Sequence, residues 1–170
     1  MKLFLMRHGE AKSSHEDHIR PLSDKGIQAI RHLAGLLKAG AGLPVAEIRH
    51  SGKRRAEQTA TLVREVLALD VPLTRVDYLD PLDDVSSAAN QVQSFDADLL
   101  LVGHLPHLNK LASVLLCGDQ YGEAFSFHPG TLLCLQRVSL PGIGADPQRF
   151  HWSVEWMMSP TLFGVGEGES

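Results

Sequence analysis

The chain has 170 residues, enough for one hydrophobic core of ordinary size without disulfides or structural metal. Sixteen basic against twenty acidic side chains give a formal charge of −4, which excludes a sequence-independent grip on nucleic acid or anionic lipid. Any anion site must therefore be local.

Residues 2–6 form a short apolar run cut off by Arg7, His8, Gly9 and Glu10, which predicts a buried strand and is too short for the core of a secretion signal. Ser23 then caps a helix with Ile27, Ile30, Leu33, Ala34 and Leu37 on its inner face, stopped at Gly40 to Pro44. A second strand, Val45 to His50, leads into a helix from about Lys53 with Ala56, Ala60, Val63 and Leu67 inward. A weaker strand at Pro72 to Val76 precedes an acidic loop, 77–84, and a helix from Val85 to Gln93.

Asp98 to Gly103 is a continuous apolar run, the mark of a strand covered on both faces. Pro106 suits the first turn of the next helix, whose inner face is Leu108, Leu111, Ala112 and Leu115. Thr131 to Val138 and Phe150 to Met157 then follow without a helix between them, separated by a turn region at Leu140 to Gly144, and read as antiparallel strands. In the last, Phe150, Trp152, Val154 and Trp156 alternate with His151, Ser153 and Glu155, predicting one core face and one wet face. Cys117 and Cys134 sit in apolar stretches, where buried free thiols are expected and suit a reducing cytoplasm. The whole predicts a three-layer α/β/α sandwich, with a mainly parallel central sheet and antiparallel C-terminal strands, as one domain over residues 1–163. Residues 164–170 read as a disordered tail. No apolar run approaches membrane-spanning length, and a cytoplasmic location is expected.

Ligands of such sheets bind beyond the carboxyl ends of the strands, where helix N-termini present free N–H groups. Arg7, His8 and Gly9 follow the first strand, Ser51 to Arg55 the second, and Gly103, His104 and Pro106 the central one. Lys53, Arg54 and Arg55 oppose the dipole of the helix they open, at about 0.3–1 kcal/mol each, a penalty that a bound anion reverses. Taken alone they also fit a solvated basic patch tied to Glu57. His8, set among arginines, is pushed toward the neutral form that carries a nucleophilic lone pair. Gly9 can take backbone angles closed to other residues and admit a phosphate to the main chain. Arg20 belongs either to the pocket or to a salt bridge with Asp17 or Glu16. Ser51 either donates to phosphate or, the safer expectation, caps the second helix.

Leu5-Met6-Arg7-His8-Gly9-Glu10 resembles the Arg-His-Gly signature of the histidine phosphatase superfamily, which includes the cofactor-dependent phosphoglycerate mutases. The likeness continues through Arg20 to Gly26, Ser51 to Ala60, Val102 to Leu108 and Trp156 to Pro160, and is nearest to the small SixA-type phosphohistidine phosphatases. It implies a phosphoglycerate mutase-like fold, a transiently phosphorylated His8, two phosphate-binding arginines, Arg7 and Arg55, and a second pocket histidine, His104. The substrate it implies is a phosphohistidine on a protein such as a histidine phosphotransfer domain, with no metal and no cofactor. Two guanidinium forks and an imidazolium would neutralise the transferring group.

Many superfamily members acting on phosphate monoesters use a carboxylic acid after the third strand to protonate the leaving oxygen. Here the candidates are Asp80, Asp83 and Asp84, for which the sequence favours a solvated acidic turn. The short chain leaves little sequence for a lid, which suits a phosphate displayed on another protein. Three rivals stand beside this reading: a small-molecule phosphomonoesterase on the same scaffold, a phosphate-binding module without turnover, and a metal protein built on His15/His18 and His104/His107. The metal reading is weakened by Pro106 between the second pair. His107 is placed at the pocket rim, and His32, His50, His128 and His151 are read as structural or surface residues.

Overall fold

The computed structural model describes residues 1–121, 125–139 and 150–164. Leu3, Phe4, Leu5 and Met6 are all essentially without solvent exposure, because β1 (Lys2–Arg7) lies inside the sheet with a neighbour on each side. β4 (Leu99–Gly103) runs parallel to it on one side and β5 (Leu132–Ser139) antiparallel on the other. β2 (Glu47–Ser51) joins β4, β3 (Leu73–Val76) closes that edge, and β6 (Phe150–Met158) pairs with β5 at the other. The order is β3-β2-β4-β1-β5-β6, with β1 to β4 parallel and the last two strands antiparallel, as the alternation of elements predicted.

The pleat sends alternate residues of these strands to opposite faces, and each face has its own core. Leu3, Leu5, Leu99, Leu101, Leu133 and Leu135 meet α3 (Val85–Gln93) and α4 (His107–Cys117). Phe4, Met6, Ile48, Leu100, Val102, Leu132 and Cys134 meet α1 (Asp24–Ala39) and α2 (Arg54–Leu67). The inner faces predicted for α1, α2 and α4 are the buried ones, except that Ile27 and Leu67 are only partly covered. Ser23 caps α1 by accepting the Gly26 N–H at 3.0 Å, and Gly40 ends it.

Two expectations give way. β6 does not keep one apolar face: its register against β5 shifts between Cys134 and Leu135, which pair with Trp156 and Val154 and leave Glu155 as the extra residue. A bulge of this kind reverses the side-chain alternation. Phe150 and Trp152 therefore pack with the α3/α4 core, Trp156 joins the α1/α2 core 5.9 Å from the Phe4 ring, and Val154 is left exposed. Cys134 is buried, but Cys117 ends α4 in an exposed position. A 3-10 turn, Pro160–Phe163, which the sequence reading did not foresee, packs on α1 through the Phe163 and His32 rings. The expected turn at Leu140 to Gly144 lies outside the described residues, as does the expected disordered tail from residue 165 onward. Among the described residues no helix is long and apolar enough to cross a membrane.

Candidate active site

Because β1, β2 and β4 run the same way, their carboxyl ends open on one edge of the sheet. Arg7 stands opposite Gly103 in the β1/β4 register, and the His8 N–H donates to the Gly103 carbonyl at 3.1 Å. His8 and His104, the next residue along each strand exit, thus lie side by side with ring centroids 4.9 Å apart. α2 begins just after β2 and brings Arg55 to the same place, where its Nε–H donates to His8 Nε2 at 3.2 Å. The structure therefore gathers His8, His104 and Arg55, 96 residues apart at the extremes of the chain order, with Arg7 at the base of the same loop.

The tautomer of His8 follows from its partners. Nδ1 lies 2.6 Å from the Gly9 carbonyl oxygen, which can only accept, so Nδ1 carries the proton and Nε2 the lone pair. Burial, opposed by the Gly9 bond and reinforced by the charges of Arg55, Arg7 and Arg20, lowers the His8 pKa to about 4. The ring is neutral at pH 7, as its setting predicted, although burial outweighs the arginines as the cause. His104 goes further: burial, with His8, Arg55, Lys53 and His107 adding to it, lowers its pKa to about 3. The expected imidazolium is thus a neutral ring, with burial as the leading cause.

Arg7 is half-buried, its Nη1 donating to the Phe127 carbonyl at 2.6 Å while its Nε is buried without a hydrogen-bond partner among the described residues. Burial lowers the pKa of both Arg7 and Arg55. The basic run at the start of α2 divides by role. Arg54 pairs with Glu57 at 2.9 Å on the surface, Lys53 reaches Asp80 at 3.0 Å, and only Arg55 turns inward. Arg20 makes no salt bridge with Asp17 or Glu16. It takes a left-handed backbone angle, φ 52°, donates Nε–H to the Lys12 carbonyl at 3.1 Å, and its charge depresses both His8 and Arg55.

Ser51 does not cap α2, whose N-cap is Lys53 without a side-chain bond; its Oγ lies 2.5 Å from His104 Nε2. Gly9 has no positive φ. Its missing side chain instead admits Ile30, Leu22 and the Gly26 carbonyl, all within about 3 Å of where a Cβ would stand. Its N–H goes to Thr59 Oγ1 at 3.1 Å and its carbonyl to His8. Thr59 was missed in the sequence: it is fully buried and also donates to the Arg55 carbonyl at 2.8 Å. Its position four residues after Arg55 on a helix was the available signal.

The acidic loop is ordered by its own carboxylates. Asp84 caps α3 through the Ser86 N–H at 3.0 Å, and Asp83 accepts the Asp80 N–H at 2.7 Å. Asp80 acts on the pocket through charge: it works to raise the Arg55 pKa against burial and Arg20, which lower it. His107 is buried rather than rimming the pocket, with both ring nitrogens unpartnered among the described residues. Among those residues no three His, Cys, Asp or Glu side chains converge as a metal site.

The sequence model for the histidine phosphatase superfamily (branch 1) matches residues 3–83. Comparison with curated protein sequences gives no match. Among solved structures, the protein histidine phosphatase SixA complexed with tungstate is 26% identical with a TM-score of 0.79, over 96% of this chain and 99% of that one. A protein assigned as the phosphohistidine phosphatase SixA of Nakamurella multipartitia is 24% identical with a TM-score of 0.71, over 94% and 95%. A mycobacterial glucosyl-3-phosphoglycerate phosphatase is 15% identical with a TM-score of 0.70, over 91% and 96%, which shows a shared fold.

Proposed function

We propose that this chain, which the histidine phosphatase superfamily model matches over residues 3–83, acts as a member of that superfamily and removes phosphate from phosphohistidine on a protein through a phospho-His8 intermediate. The observation that carries the proposal is the His8 ring, neutral and held with its Nε2 lone pair toward Arg55 and beside His104.

The chemistry balances without a cofactor. His8 Nε2 forms a bond to phosphorus as the donor's N–P bond breaks, and the donor imidazole leaves with the electron pair and takes a proton from solvent. Arg55 exchanges its bond to Nε2 for bonds to phosphate oxygens, Arg7 supplies a second guanidinium, and His104 binds a third oxygen. Arg20 adds positive charge at the edge. Ser51 holds the His104 ring and Gly9 the His8 ring. Water then attacks phospho-His8, breaks its N–P bond, and inorganic phosphate departs. Because the arginines neutralise the transferring group, no step needs a metal ion. Turnover is expected to survive chelation by EDTA unchanged; loss restored by a divalent cation would contradict this.

The neighbour that binds tungstate, a tetrahedral oxyanion, is a protein histidine phosphatase, and this supports the protein substrate. A reducing cytoplasm suits both such a partner and the exposed thiol of Cys117. Asp80 favours a second reading. A carboxyl beside Lys53 and within electrostatic reach of Arg55 is a candidate to protonate a phosphomonoester's leaving oxygen. The two readings separate on leaving groups. A phosphohistidine protein is expected to turn over far faster than a sugar phosphate, and Asp80→Asn to spare it, because imidazole leaves more readily than an alkoxide. Preferential turnover of the sugar phosphate, lost in Asp80→Asn, would reverse the assignment.

A further inference from the structure

Four hydrogen bonds close a ring around the nucleophile. His8 Nδ1–H donates to the Gly9 carbonyl at 2.6 Å, and the Gly9 N–H donates to Thr59 Oγ1 at 3.1 Å. Thr59 Oγ1–H donates to the Arg55 carbonyl at 2.8 Å, and Arg55 Nε–H returns to His8 Nε2 at 3.2 Å. Thr59 is the one member whose side chain joins the two elements through backbone groups on both sides: β1's exit at Gly9 and α2's first turn at Arg55.

A threonine inside a helix commonly bonds the carbonyl four residues earlier, and that bond alone carries no functional meaning. Here the hydroxyl uses its donor on Arg55 and still has lone pairs, one of which takes the Gly9 N–H. Gly9 is the residue most in need of a restraint, since glycine has the widest choice of backbone angles and this one holds the His8 tautomer. With no solvent exposure at Thr59, no water can replace either bond without moving the helix.

Resting on the reading of His8 as nucleophile, we propose that Thr59 is a positioning residue for phosphoryl transfer, fixing the separation and orientation of the His8 ring and the Arg55 guanidinium. It touches neither phosphate nor the reacting atoms. Its contribution is to the transfer step rather than to docking of a phosphoprotein, so its loss falls on kcat.

The test compares Thr59→Val, which keeps the shape and removes the hydroxyl, with Thr59→Ser, which keeps the hydroxyl. Thr59→Val is expected to lower kcat about a hundredfold, the cost of misplacing a reacting group by about 1 Å. KM should change by no more than about threefold, and Thr59→Ser should retain most of kcat. The ring ¹⁵N shifts of His8 give a readout independent of turnover: a single Nδ1–H tautomer in the native protein and in Thr59→Ser, and a mixture of tautomers in Thr59→Val. Should Thr59→Val not accumulate as folded protein, Thr59→Ala replaces it with the same expectations. Native kcat and unchanged His8 signals in the hydroxyl-free variant would overturn the proposal, as would a Thr59→Ser variant equally impaired. If the native protein turns over no phosphohistidine donor, the functional reading fails, while the His8 signals still decide whether Thr59 positions the ring.

Discussion

His104 is a buried histidine whose pKa is lowered by burial and by His8, Arg55 and Lys53, so binding an oxyanion is a proton-linked event. In the free protein the ring titrates at about 3. A dianion against it favours the protonated form, so its midpoint rises on binding, and affinity for the anion grows as pH falls from 7 through that raised midpoint. Sulfate is a suitable probe because its own charge is constant over that range. We expect an upward shift of the His104 ¹⁵N titration in sulfate and a flatter pH dependence of binding in His104→Asn; an unchanged midpoint would contradict the electrostatic account. Ser51→Ala should cost about 1–2 kcal/mol in urea denaturation, because it leaves a buried ring nitrogen unpaired. The sequence made Arg7, His8, Arg55 and His104 conspicuous because each lies at the carboxyl end of a strand or in the first turn of the helix after it, where charge has little structural reason to collect. The Gly9 bond of Thr59 and the Ser51 bond were harder to read: they reach partners 50 and 53 residues away in the chain, and although the spacing of Thr59 from Arg55 was visible, nothing local pointed to Gly9 or told a cap from a ring partner.

Among the elements, α1 determines how firmly the nucleophile loop is held. A Cβ on Gly26 would collide with the Glu10 carbonyl, two residues after His8, and that carbonyl also accepts the Ser23 N–H at 3.0 Å. Gly26 therefore allows the helix to seat against the loop. Gly26→Ala is expected to lower stability by about 1–3 kcal/mol, against a gain in intrinsic helix propensity that would otherwise favour alanine. Equal or higher stability by urea denaturation would show that the contact yields freely. α1 was legible in full, from Ser23 to Gly40, because its caps and apolar spacing agree. β6 was not, since strict alternation assumes an unbroken ladder and the extra residue at Glu155 sends Trp152 and Trp156 to opposite faces. The bulge is set by the pairing with β5, which no pattern within residues 150–158 encodes.

At the scale of the molecule, keeping His8, His104 and His107 neutral makes stability depend on pH. Burial lowers all three pKa values, so between about pH 6.5 and 4 the unfolded chain binds more protons than the folded one. Stability contributed by the neutral rings is complete above 6.5 and falls as pH falls through that window. Urea denaturation at pH 7 and pH 5 should show the loss, and the double variant His8→Asn, His104→Asn should show less of it; an equal loss would place its origin elsewhere. The sheet itself resists such changes, because two apolar layers clamp it. Leu101, fully buried under α3 and α4, should cost about 2–5 kcal/mol when replaced by Ala.

The central claim is that His8 itself carries the phosphoryl group between donor and water. Rapid quenching after mixing with a ³²P-labelled phosphohistidine protein tests it directly. We predict acid-labile, base-stable label that maps to the peptide containing His8 and vanishes in His8→Ala; turnover with no label on this chain, or label that persists in His8→Ala, would contradict it.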